Sequence, residues 1–219
     1  MIYFFPGLAT DGRLLEGYRF AEPVTVVSYP RPQPRETLES YARRLAVEHP
    51  FEPNSILMGF SLGGMLAALV GRHIPTRQVI VISSLLEQNR PWWMTLPLWI
   101  PLHRWLPDSA LRRLFLLLGD LFARKTPEQR RLLQDMVAAA DLVFVRWAID
   151  AVARWSGLPD TSGMIRIHGS GDRLFPLRYV NADRIIKDGQ HFLIVQNRKE
   201  LNRHLNELIT VPLPADTGR

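Results

Sequence analysis

The 219 residues are 47% hydrophobic and 22% charged, a balance that suits one compact domain with an inserted subdomain rather than two independent units. There is no cysteine, which excludes disulfides and thiolate metal sites. The formal net charge of +6 rests mostly on arginines scattered singly or in pairs among acids, without the basic and aromatic stripe of a nucleic-acid module, so it reads as a solvated basic surface.

Along the chain, Ile2–Phe5 is an apolar run closed by Pro6-Gly7, and 24–29 is a β-branched run closed by Pro30; both read as buried strands. Leu38, Tyr41, Leu45 and Val47 put one apolar side on a helix over 36–49, which Pro50 ends. A strand over Ser55–Phe60, a helix over 62–73 and a strand over 78–83 continue a rhythm that builds a right-handed parallel sheet. The rhythm then breaks. Residues 87–157 hold all six tryptophans and none of the tyrosines, and predict a helical cap with helices near 109–124 and 127–155. Most of these tryptophans are expected to hold the helical layer together, with Trp92 and Trp147 assigned to a substrate pocket. The stretch 92–102 is too short and too broken by proline to span a bilayer, and an interfacial role is the most it supports. Strands over 164–168 and 184–187 and a helix over 198–209 resume the pattern, and 211–219 reads as a flexible tail. The first residues carry no basic leader or small-residue cleavage site, so a cytoplasmic protein is expected.

Chemistry concentrates at strand ends. Gly59-Phe60-Ser61-Leu62-Gly63-Gly64 lies between an apolar strand and a helix, the setting in which a serine occupies a sharp strand-to-helix turn. Gly59 and Gly63 leave room for that turn, and Ser61 falls at a helix N-terminus whose free N–H groups favour a developing negative charge. A serine hydroxyl needs a base, and the base needs an acid to fix its tautomer. Asp172 follows the strand over 164–168, and His191 follows the strand over 184–187, which gives the order Ser, Asp, His. His168, on the strand leading to Asp172, is read as structural, and Glu87 is the rival acid.

These motifs resemble those of the α/β-hydrolase superfamily, over residues 1–86 and about 160–210. The resemblance implies an α/β fold with a mostly parallel sheet of about six strands, since the family's usual leading hairpin is missing. It assigns residues 1–86 and 158–210 to the core and leaves 87–157 as an inserted helical cap. Pro6-Gly7-Leu8 is similar to the family's oxyanion loop, which implies that the backbone N–H groups of Leu8 and Leu62 form the oxyanion hole. The implied activity is that of a serine esterase of carboxylesterase type, working through an acyl-enzyme without metal or cofactor. An apolar acyl or alkyl group is expected under the cap.

The elbow beneath a helical cap also resembles pimeloyl-carrier-protein methyl esterases. That would imply an acidic acyl carrier protein as partner, met by Arg112, Arg113, Arg124, Lys125, Arg130 and Arg131. Thioesterase and carbon-carbon hydrolase activity use the same parts, a lipid-surface lipase is a further alternative, and a ligand-binding protein on the same fold is the alternative from another class.

Overall fold

The computed structural model describes residues 1–210, and the tail expected over 211–219 lies outside the described residues. Strands β1 (Ile2–Phe5), β2 (Val24–Val26), β3 (Ser55–Phe60), β4 (Thr76–Ile82), β5 (Met164–Gly169) and β6 (Arg184–Ile186) form one sheet in the order β2-β1-β3-β4-β5-β6. Every pairing is parallel, so the six-stranded parallel sheet expected from the sequence is present. β1 and β3 are buried at every residue, as strands covered on both faces must be.

The pleat sorts their side chains into two cores. Tyr3, Phe5 and Leu57 meet α1 (Leu38–Glu48) and α2 (Leu62–Val70) on one face. On the other face, Ile2, Phe4, Ile56 and Met58 meet α8 (Leu193–Gln196) and α9 (Arg198–Thr210). β2 is three residues rather than the six expected, because it is an edge strand whose partner β1 ends at Phe5. The first helix starts at Leu38, two residues later than expected, because Thr37 and Ser40 form a reciprocal capping box. α2 stops at Gly71 instead of continuing to His73.

Between β4 and β5 the chain forms a 3-10 turn (Trp92–Thr95), α3 (Leu96–Trp99), α4 (Leu102–Trp105), α5 (Asp108–Phe122), α6 (Pro127–Ala139) and α7 (Leu142–Arg154). The single helix expected over 127–155 is therefore two. Ala140 is extended, and the Asp141 carboxylate accepts the Val143 N–H at 2.8 Å, which ends one helix and caps the next. α7 carries Phe144 and Ala148 into the core against α1, and Trp147 donates to the Glu36 carbonyl at 2.9 Å while packing on Tyr41.

The tryptophans do not act as one group. Trp147 and Trp155 are built into the core, but Trp92, Trp99 and Trp105 are 68%, 80% and 81% exposed, so these three do not hold the layer together. Several cations expected on a solvated surface turn inward instead. Arg90, Arg112, Lys125 and Arg146 each donate to backbone carbonyls at helix ends, among them those of Ala153, Ala140, Ala123 and Leu106. Helix C-termini leave carbonyls without partners, and these side chains supply them. No helix among the described residues is long and apolar enough to cross a membrane.

Candidate active site

β3 ends at Phe60, and the next residue turns sharply into α2. Ser61 has φ 53° and ψ −121°, a left-handed conformation that is costly for a residue with a Cβ. Close packing enforces it. A methyl group on Gly59 would overlap the Gly63 carbonyl, and one on Gly63 would overlap the Phe5 carbonyl, so only glycine fits at either position. Besides the first bonds of α2, two contacts to β4 and the residues after it pin the serine backbone: its N–H donates to Ile82 O at 2.9 Å, and Ser84 Oγ donates to its carbonyl at 2.7 Å.

Ser84, buried just past the end of β4, was not singled out in the sequence. The only signal is a pair of serines after an apolar strand whose neighbour ends at the elbow. Ser84→Ala is expected to lower kcat of a hydrolytic turnover at this serine by up to about tenfold with little change in KM, since one hydrogen bond contributes roughly 1 kcal/mol. Steady-state kinetics would show this, and an unchanged kcat would remove Ser84 from the positioning role.

The structure brings Ser61, His191 and Asp172 together. His191 Nε2 lies 3.0 Å from Ser61 Oγ, and His191 Nδ1 lies 2.9 Å from Asp172 Oδ2. The loops carrying the last two are knitted to each other: Gly171 N–H donates to Gly189 O at 2.9 Å and Asp188 N–H to Ser170 Oγ at 2.8 Å. Asp172 Oδ1 accepts the Leu174 and Phe175 N–H groups, each at 2.9 Å. Burial, the largest influence on this carboxyl, pushes its pKa up, but His191, His168 and the Phe175 N–H together hold it below the ordinary value.

His168 is buried, with Nε2 2.8 Å from Phe175 O and 3.4 Å from Asp172 Oδ2, so it braces the aspartate loop and does not approach Ser61. Glu87 accepts the Asn181 N–H at 2.7 Å and lies 3.5 Å from Arg166.

Burial depresses the His168 pKa. In the unfolded chain the same imidazole takes its proton near pH 6.5, so its contribution to stability is complete above that pH and is lost as pH falls toward the folded value. His49 and His103, also depressed by burial, act in the same direction. Unfolding free energy is expected to fall between pH 7 and 5, and His168→Asn to flatten part of that slope; denaturant titrations giving parallel slopes for both proteins would contradict this.

Leu8 and Leu62 both line the space in front of Ser61. Neither backbone N–H has an acceptor among the described residues. The Leu8 loop is fixed by Tyr29, whose hydroxyl donates to Pro6 O at 2.8 Å, and by Ala9 at φ 54°.

Ser61 and His191 open into a cavity of about 450 Å³ whose walls include Met65, Met94, Phe115, Leu118, Phe122 and Val152. Neither predicted pocket tryptophan lines it. Trp147 is committed to the α1–α7 contact and Trp92 faces outward, whereas Trp93 lines the cavity and its Nε1 donates to Leu174 O at 3.3 Å. Adjacent residues of a 3-10 turn point about a third of a turn apart, so only one of the pair can face in. A serine hydroxyl bonded to an imidazole, the imidazole bonded to a buried carboxylate, and free N–H groups beside the serine are the arrangement that acyl transfer requires.

The sequence profile described as "Alpha/beta hydrolase family" matches residues 3–204. No curated protein sequence matches the chain. Among solved structures, the chain is similar to an esterase from Exiguobacterium antarcticum (TM-score 0.69, 16% identity, covering 96% of this chain and 91% of that one). It is also similar to a thioesterase of the prodiginine biosynthetic pathway in Streptomyces coelicolor (0.61, 21%, 94% and 84%). A third similar structure is a bromoperoxidase from Bacillus anthracis (0.68, 18%, 96% and 91%). At these identities the likeness shows the fold.

Proposed function

The chain belongs to the alpha/beta hydrolase family, and on that premise we propose that it is a serine hydrolase cleaving a carboxylic ester through an acyl-enzyme. The observation that carries this reading is the unbroken hydrogen-bonded line from Ser61 Oγ through His191 to Asp172. His191 takes the Ser61 proton as the oxygen attacks the ester carbonyl, and the Leu8 and Leu62 N–H groups hold the oxyanion. The imidazolium then gives that proton to the departing alcohol. Water, deprotonated by the same imidazole, releases the acid. Asp172 stays ionised throughout and holds His191 with its Nε2 free to accept.

The apolar cavity supports a substrate with an apolar acyl or alkyl group seated beneath residues 87–157, which act as a cap. A thioester fits the same parts. The carrier-bound methyl ester has weaker support. Of the six basic residues expected to meet an acidic carrier, Arg112 and Lys125 are spent on backbone carbonyls and Arg130 lies 3.5 Å from Asp120.

Labelling with a fluorophosphonate separates turnover from mere binding on this fold. Wild type is expected to label and Ser61→Ala to remain unlabelled; equal labelling of both proteins would overturn the proposal.

A further inference from the structure

Beyond the triad, the mouth of the cavity differs from the rest of the surface. Leu96 on α3 and Leu118 on α5 line the cavity and are also exposed to solvent, so its apolar wall reaches the surface at both elements. Further apolar side chains on the same two elements are exposed. Trp99, one turn after Leu96, is 80% exposed and is followed by exposed Ile100, while Leu117 and Leu121 are exposed beside Leu118. On α5, Arg113, Leu117 and Leu121 stand at positions i, i+4 and i+8, which places them in one stripe, and Arg124 lies two residues past the end of the helix, after the extended Ala123. Neither arginine side chain has an ion-pair partner among the described residues, and Asp120, the acid of this helix nearest Arg124, lies 3.5 Å from Arg130.

An indole beside aliphatic side chains, flanked by unpaired cations, is the composition that settles at a bilayer interface and is drawn to anionic headgroups. We propose that this face docks on an anionic lipid surface, with the cavity mouth turned to the bilayer, so that the ester to be cleaved is drawn from that surface. The proposal rests on the esterase reading above for the cleavage, though not for the docking. A second copy of the chain would cover the mouth and shut out substrate, and an acidic protein would find one cation in the apolar row, Arg113, and a second only past the end of the helix, Arg124. A lipid surface is compatible with both the apolar centre and an open route to Ser61.

Docking and chemistry can be tested separately. Ser61→Ala protein is expected to co-sediment with phosphatidylcholine vesicles containing a quarter phosphatidylglycerol. Adding Trp99→Ala, Leu117→Ser and Leu121→Ser, all at exposed positions outside the cavity, is expected to weaken partitioning at least tenfold. Arg113→Gln with Arg124→Gln is expected to weaken it about tenfold or more on those vesicles and hardly at all on pure phosphatidylcholine. In the active protein, neither set is expected to change turnover of monomeric p-nitrophenyl acetate.

Absence of vesicle binding, or variants that sediment like the parent, would overturn the proposal. So would a change of mass in sedimentation equilibrium without vesicle binding, which marks a contact between copies, or capture of an acyl carrier protein without it. Equal partitioning on both vesicle types would overturn the anionic assignment. Vesicle binding that persists in a protein unable to cleave any ester would instead overturn the esterase reading and leave the docking intact.

Discussion

Ser61→Ala is expected to lower kcat/KM on a p-nitrophenyl ester by roughly 10⁵- to 10⁶-fold, while the protein folds as before. The loss is large because the substitution removes the only oxygen that His191 can activate at the head of α2. The rest of the elbow does not depend on that oxygen. The backbone is held through Ile82 O and Ser84 Oγ, and the glycine contacts at positions 59 and 63 are untouched. A denaturation midpoint close to wild type, with activity at the background rate, would separate chemistry from folding. A variant that keeps a tenth of the activity would require another nucleophile and would remove the Ser61 acyl-enzyme from the mechanism.

Asp172→Asn is expected to cost about 10⁴-fold in kcat, with a smaller effect on KM. The amide is close to isosteric, and its oxygen can keep the bonds from the Leu174 and Phe175 N–H groups. Its NH₂ then faces His191 Nδ1 and donates where the carboxylate accepted, which favours the tautomer with the proton on Nε2. That nitrogen can no longer accept the Ser61 proton. Glu87→Gln serves as the control and is expected to change kcat by less than about threefold, because Glu87 is engaged by Asn181 and Arg166 and makes no hydrogen bond to His191. Steady-state kinetics on both variants decides between the two acids; a large loss in Glu87→Gln with a small one in Asp172→Asn would exchange their roles.

Much of the sheet was legible because strands buried on both faces leave continuous apolar runs, and the bounds of β3 agree with that pattern to the residue. Where the pattern misled, a local bond decided. The break at Ala140 is invisible to periodicity because both flanking helices carry the same apolar spacing, and only the capping geometry of Asp141 divides them. The short helix α8 directly after His191 was missed because four residues carry no period of their own. Pocket residues were the least legible: Trp92 and Trp93 are chemically identical neighbours, and which of them faces Ser61 depends on the angle at which a one-turn helix meets the rest of the fold.

Glycine spacing, the succession of strands and helices along the chain and that of serine, aspartate and histidine are local facts, set by backbone sterics and periodicity, and the sequence alone determined them. Only the folded chain settled which cations face solvent, which tryptophans are exposed, and that Ser84 and His168 brace the elbow and the aspartate loop. These depend on contacts between residues far apart in the chain. The direction of such a contact is fixed by how whole elements pack, and no window of neighbouring residues encodes it.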